Sequence, residues 1–181
     1  MLKNTEQRYG SLSIGLHWLT LLLMVAVYGL MEFRDIFPKD STGRDLMKEY
    51  HFMVGLLILA LVVARLLVRF GSPSPRIVPA PSPLMLKLGH LAHLALYGLL
   101  VLLALLGWLL LSAGGKPIPF FGLELPALIA PDDGLKGTIK ELHETLANIG
   151  YALIALHAAA AIYHHHVLKD NTLTNMLPEK K

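Results

Sequence analysis

The run IGLHWLTLLLMVAVYGLM, residues 14–31, decides the fold class of this chain. It contains no Asp, Glu, Lys or Arg, and its length approaches the roughly 20 apolar residues that an α-helix needs to cross a bilayer. Three further apolar runs follow at residues 52–70, 91–113 and 146–167. Of the 181 residues, 54% are hydrophobic and 16% are charged, whereas soluble domains carry about a quarter charged residues. The sequence therefore predicts a polytopic membrane protein and disfavours a soluble helical bundle.

Capping residues, prolines and glycines indicate where the four helices begin and end. Ser82 followed by Pro83 is a favoured helix start, Gly114 ends the third run, and the T-x-x-E pattern Thr138–Glu141 is a capping box. The Pro-rich connector at residues 72–83 cannot be helical throughout. We predict an all-α, four-transmembrane-helix bundle without strands, as one domain over residues 1–181, with helices over about residues 11–31, 45–70, 83–113 and 138–168.

Basic residues concentrate on one side of the predicted bundle. They occupy the two terminal segments and the connector between the second and third helices: Lys3, Arg8, Arg65, Arg69, Arg76, Lys87, Lys169, Lys180 and Lys181. The other two loops are rich in Asp and Glu. Because cytoplasmic loops carry the excess of Lys and Arg, we predict that both termini lie in the cytoplasm. Arg65 and Arg69, near the end of the second helix, are expected to snorkel to that surface.

The chain contains no cysteine. Disulfides, iron–sulfur clusters and thiolate chemistry are therefore excluded, and any redox function requires a cofactor held by other side chains. The formal net charge of +3 is small and is spread over short loops, which disfavours a nucleic-acid-binding function.

Nine histidines are many for this length, and several lie in or beside the apolar runs. Ionisable side chains inside a membrane span mark function by default. His143 and His157 lie fourteen residues apart on nearly the same face of the last helix, about 21 Å from each other. Gly150, midway between them, is expected to leave space between two large flat ligands. Zinc would need converging ligands, so this spacing favours two stacked b haems, each with a second axial histidine from another helix.

The depth of each histidine suggests its partner. His51 and His143 both lie towards the outer side, and we pair them as ligands of an outer haem. His157 lies towards the cytoplasm, where its partner is either His17 or His93, and the spacing leaves both possibilities open. One alternative is that these histidines only form hydrogen bonds between helices. Another is a non-haem transporter with a histidine proton relay.

Four segments resemble the bacterial cytochrome b561 family: SIGLHW at residues 13–18, EYH at 49–51, GHLAHL at 89–94 and HETLANIGYALIALHAAAA at 143–161. Within that family, the resemblance is closest to the superoxide oxidases, which are superoxide:ubiquinone oxidoreductases. It implies an inner-membrane bundle with two b haems, in which His17 and His157 ligate the inner haem and His51 and His143 the outer haem. Electrons would pass from periplasmic superoxide to ubiquinone, and His164 would contact the quinone.

Lysines on the predicted outer side bear on the identity of the electron donor. Superoxide is a small anion, so a positive field near the outer haem would raise its encounter rate. The candidates for this steering are Lys136 and Lys140, the latter three residues before His143, and the alternative for Lys140 is an ordinary exposed lysine. A different function is also consistent with the sequence, namely a cytochrome b subunit that relays electrons from a partner dehydrogenase or hydrogenase. The superoxide-oxidising interpretation requires no protein partner.

Overall fold

A computed structural model describes residues 1–178 and contains four long helices: α1 (Ser11–Glu32), α2 (Thr42–Phe70), α3 (Pro83–Ala113) and α4 (Asp133–Tyr163). Within the described residues, each helix is long and apolar enough to cross a membrane. The prediction of four membrane-length helices is therefore confirmed. A π-helical turn, His164–Leu168, extends α4, and a 3₁₀ turn, Arg34–Ile36, follows α1.

Two helices begin earlier than predicted. The Ser41 side chain accepts a hydrogen bond from the Arg44 N–H, so α2 begins at Thr42 instead of residue 45. The Asp132 side chain accepts a hydrogen bond from the Leu135 N–H at 3.0 Å, and α4 begins at Asp133 instead of residue 138. Both are ordinary N-caps, and the acidic Asp132 also suits the positive end of the helix dipole. The predicted capping box at residues 138–141 lies inside α4, so the prediction that the helix begins there is wrong.

The expectation of no strands is also wrong. Strands β1 (Ile118–Phe120) and β2 (Leu123–Leu125) form an antiparallel hairpin in the loop between α3 and α4. Phe121 and Gly122 connect them, both with positive φ, as a tight hairpin turn requires. Buried Ile118 packs against Leu56 and Leu111. Strands of three residues are too short for the alternating pattern that reveals strands in a sequence.

The helices pack in sequence, α1 along α2, α2 along α3 and α3 along α4. The main core contains Met24 and Val27 from α1, Ile58 and Val62 from α2, and Leu100 from α3. Only one residue of α4 is buried. The fourth helix therefore meets α1 and α2 mainly through individual histidine and tyrosine side chains, and these contacts form the candidate site.

Three segments outside the four long helices form one layer at the end of the bundle where α1 begins. We call residues 1–10, 72–82 and 169–178 the terminal layer. The Arg76 N–H donates to the Glu6 carbonyl at 2.8 Å, and the Asn171 N–H donates to the Val78 carbonyl at 3.1 Å. Both described ends of the chain thus lie on one side of the bundle. Lys180 and Lys181, which the orientation prediction also used, lie outside the described residues.

Candidate functional site

A cavity of about 560 Å³ lies between the four helices at the end remote from the terminal layer. Ligand pockets in proteins range over about 300–1,000 Å³. His51 of α2 and His143 of α4 line it, and we call it the His51–His143 cavity. The walls are otherwise mostly apolar, and the charged residues that line it are Glu32, Arg34, Asp35, Lys48, Lys140 and Glu144.

His51 and His143 face each other with ring centroids 6.2 Å apart. Two imidazoles that bind one metal ion from opposite sides, each through a bond of about 2 Å, have ring centres about 6 Å apart. Nδ1 of His51 lies 2.9 Å from the Val27 carbonyl oxygen. If Nδ1 carries the ring proton and its N–H donates a hydrogen bond to this carbonyl, the other ring nitrogen, Nε2, is free to bind a metal ion.

The surroundings of His143 also fit a metal-bound imidazole. Its Nδ1 is buried on the side of α3, beside the Leu103 carbonyl, and has no partner that meets full hydrogen-bond geometry among the described residues. If Nδ1 carries the ring proton towards this carbonyl, the other ring nitrogen is the one left for a metal ion. A Cβ at Gly107 would lie 3.5 Å from the His143 ring, at ordinary contact distance, so the ring lies directly against α3. The residues present therefore fit a bis-histidine haem.

A second group of histidines lies nearer the terminal layer. The His157 ring has its centroid 6.2 Å from that of His17 and 5.7 Å from that of His93. We call these three residues the His17 cluster. The structure brings all three together, and the ring distances alone do not choose between His17 and His93 as the partner of His157.

Arg65 is directed into this cluster, contrary to the expectation that it snorkels to the membrane surface. Its Nη2 lies 3.2 Å from Nδ1 of His17, and its guanidinium lies over the Tyr97 ring, 5.4 Å from the centroid. A sequence pattern gives the depth of an arginine along a helix but not the neighbour that its side chain will meet.

Tyr28 lies between the two histidine groups, and the sequence analysis missed it. Its hydroxyl donates to the Ala147 carbonyl at 2.8 Å, and its ring packs against Tyr151 at a centroid distance of 4.4 Å. A Cβ at Gly150 would overlap the Tyr28 hydroxyl. The missing side chain of Gly150 thus makes room for the Tyr28 hydroxyl, while the expected space between two haems stays a prediction.

Lysines that line the His51–His143 cavity form ion pairs with carboxylates. Lys140 lies 3.2 Å from Glu144, and Lys48 lies 2.9 Å from Asp45. Nε of Arg34 is buried without a hydrogen-bond partner among the described residues. The sequence singles out only Lys140 of these cations, because Arg34 and Lys48 lie between the first two apolar runs, in a stretch rich in Asp and Glu.

His164, the predicted quinone contact, lies in a hydrogen-bonded group beside the terminal layer. Its Nδ1 is 2.6 Å from Oδ2 of buried Asp170, and the Thr172 N–H donates to Oδ1 of the same carboxylate at 2.9 Å. Burial alone would raise the pKa of Asp170, but the hydrogen bonds from Thr172 and His164 outweigh it and hold this pKa below its usual value. The arrangement fixes the His164 ring, while the quinone contact remains a prediction.

Sequence comparisons identify relatives over nearly the whole chain. The family described as prokaryotic cytochrome b561 matches residues 8–179. Cytochrome b561 homolog 1 of Escherichia coli (strain K12) is 41% identical over 174 residues, covering 96% of this chain and 99% of the relative. The probable superoxide oxidase CybB of Yersinia pestis is 40% identical over 176 residues, covering 97% and 99%. Cytochrome b561 homolog 2 of Escherichia coli (strain K12) is 33% identical over 175 residues, covering 96% and 93%.

Proposed function

This chain belongs to the prokaryotic cytochrome b561 family of haem b-binding, multi-pass inner-membrane electron-transfer proteins, and on that premise we propose that it is a superoxide:ubiquinone oxidoreductase with two b haems. Electrons pass from superoxide in the periplasm to an outer haem, then to an inner haem and to ubiquinone. One observation carries this proposal: facing histidines occur at two levels of one bundle, His51 with His143 and His17 with His157, both at 6.2 Å.

Each histidine pair has a defined role in this proposal. His51 and His143 hold the outer haem, while His17 and His157 hold the inner haem. Haem b, when bound, supplies a one-electron couple that protein side chains lack. The surrounding protein contributes the ligands, the spacing between the two sites and an apolar environment. Tyr28, between the two pairs, holds α1 against α4 through its hydrogen bond to Ala147.

The orientation in the membrane follows from the basic residues of the terminal layer. Arg76 and Lys169 belong to this layer, and Arg65 and Arg69 lie in the adjoining end of α2. Because the positive-inside rule places such residues in the cytoplasm, we place both termini there. The His51–His143 cavity then opens towards the periplasm, and its cations Arg34, Lys48 and Lys140, each of which lies near a carboxylate, contribute to the attraction of an anionic donor in this proposal. The printed name of the Yersinia pestis relative supports superoxide as that donor.

The decisive experiment supplies superoxide and ubiquinone to the purified haem-loaded protein in detergent. We expect haem reduction followed by ubiquinol formation, neither of which a matched haem-free preparation should give. Intact haems that superoxide does not reduce, or reduced haems that do not pass electrons to ubiquinone, would contradict the proposal and favour a relay subunit. A folded but colourless preparation would exclude both haem-based functions.

The Lys140→Gln variant tests electrostatic attraction of superoxide. We expect the second-order rate of haem reduction by superoxide to fall about two- to fivefold at low ionic strength, because one cation is removed from the cavity mouth. Raising the salt concentration should shrink the difference, since screening weakens exposed charges. Lys136→Gln is the matched control: Lys136 lies one turn earlier on α4, pairs with Asp133 and does not line the cavity. Equal rates for Lys140→Gln and the unmodified protein at low salt would rule out this role.

A further inference from the structure

Arg34 lines the His51–His143 cavity from the 3₁₀ turn that follows α1. Its side chain is 37% exposed, so a ligand in the cavity can reach it. Within residues 1–178, Nη1 of Arg34 lies 3.6 Å from the Met31 sulfur, and Nε is buried without a hydrogen-bond partner. A guanidinium has five N–H donors and keeps its charge in proteins. The described part of the chain therefore leaves most of the hydrogen-bonding capacity of Arg34 unused.

The carboxylates near Arg34 are engaged by other groups. Asp35 lies 3.8 Å from Nε of Arg34, which is beyond hydrogen-bond distance, and the same Oδ1 atom lies 2.5 Å from Nη2 of Arg44. Glu32, at the end of α1, accepts a hydrogen bond from the Tyr151 hydroxyl at 2.7 Å. The two lysines that line the cavity have shorter carboxylate contacts, at 2.9 and 3.2 Å. Among the described cations of the cavity, Arg34 is thus the one with the weakest carboxylate contact.

The polarity of the cavity walls indicates where a negatively charged group of a ligand is tolerated. Ile58 and Leu100 belong to the apolar part of the lining, and the charged residues lie at the mouth. An ionised carboxylate is costly to bury among apolar groups unless it is paired. Haem b carries two propionate carboxylates on one edge of the porphyrin. The cavity therefore favours a haem whose propionates meet the charged residues of the mouth.

We propose that Arg34 binds a propionate carboxylate of the outer haem and thereby helps to retain and orient that haem. Hydrogen bonds between arginine and a carboxylate are charge-assisted and frequently bidentate. The pairing also cancels a negative charge at the cavity mouth that would repel an anionic electron donor. This inference rests on the proposed function, because it requires that His51 and His143 bind the outer haem. A guanidinium suits a free oxyanion such as superoxide by the same chemistry, so the experiments separate these two sources.

The first experiment measures the transfer of haem from the purified haem-loaded protein to excess apomyoglobin. The outer haem is the fraction that a His143→Ala variant lacks. In Arg34→Gln, we expect this fraction to leave about tenfold faster, because a charge-assisted hydrogen bond is lost, while the inner haem leaves at its usual rate. Arg34→Lys keeps the charge without the planar fork and should give an intermediate rate. Lys39→Gln is the matched control: it removes one positive charge from an exposed residue of the same loop that does not line the cavity, and it should change the rate less than about twofold.

The second experiment changes the haem instead of the protein. In the dimethyl ester of haem b, both propionates are esterified and carry no charge. We load haem b or this ester into matched haem-free preparations of the unmodified protein and of Arg34→Gln. The roughly tenfold effect of Arg34→Gln on outer-haem release should shrink to less than about twofold with the ester, because a cycle of this kind isolates the interaction between the two groups that are changed.

Two results would overturn the inference. One is an unchanged rate of outer-haem release from Arg34→Gln, which, if haem reduction by superoxide is slower in that variant, would assign Arg34 to the free anion instead. The other is an effect of Arg34→Gln that is as large with the ester as with haem b, since it would then not depend on the propionates. If Arg34→Gln retains no haem, Arg34→Lys takes its place in the same comparison. Failure of superoxide to reduce ubiquinone, with the expected release rates, would contradict only the proposed function.

Discussion

Replacing His143 with alanine is expected to reduce the haem content from about two per chain to about one and to abolish ubiquinone reduction by superoxide. In the proposed ligation, His143 is the only α4 ligand opposite His51, and a methyl group cannot bind iron. The apolar walls of the 560 Å³ cavity contribute contacts with a porphyrin but no second axial bond. His157, fourteen residues further along α4, should keep the inner haem in place.

The measurement is a reduced-minus-oxidised spectrum combined with a haem assay per chain. His166→Ala is the control, because His166 is exposed and lies in the π-helical turn beyond α4; it should retain both haems. Size-exclusion chromatography in detergent checks that the variant remains folded. Two bound irons with unaltered low-spin spectra in the His143→Ala variant would exclude the proposed ligation of the outer haem.

The elements that sequence reasoning identified are those governed by periodicity along one chain. Four apolar runs predict four membrane-length helices because a bilayer fixes the length of a spanning segment. The spacing of His143 and His157 places them on one helix face because the helical repeat is fixed. Depth in the membrane likewise placed His51 opposite His143, and the structure brings these two rings together.

The features that sequence reasoning missed depend on contacts between elements. The direction of Arg65 depends on the positions of His17 and Tyr97 on two other helices. The inner site contains three histidines at similar distances, so neither spacing nor ring distance selects one pair. The sequence does not indicate that Tyr28 lies against Gly150, because this tyrosine lies more than a hundred residues earlier in the chain.

The close approach of Tyr28 to Gly150 leads to the second large expected effect. We expect Gly150→Ala to destabilise the protein by about 1–3 kcal/mol, the usual cost of forcing an extra group into a packed site. The added Cβ would overlap the Tyr28 hydroxyl and lie 3.2 Å from Cδ2 of Leu99. Thermal unfolding in detergent, followed by the loss of the haem absorbance, measures the effect. Gly98→Ala on α3 is the control, because a Cβ there meets nothing within 4 Å.

A double-mutant cycle identifies the atom responsible. Tyr28→Phe removes the overlapping hydroxyl together with its hydrogen bond to the Ala147 carbonyl, and it should cost about 1 kcal/mol alone. In the double variant, the new methyl group occupies space that the hydroxyl has left. The loss of stability should therefore be smaller than the sum of the two single losses by about 0.5–3 kcal/mol. Strict additivity, or a Gly150→Ala variant as stable as the Gly98→Ala control, would show that the Tyr28 hydroxyl does not require the space beside Gly150.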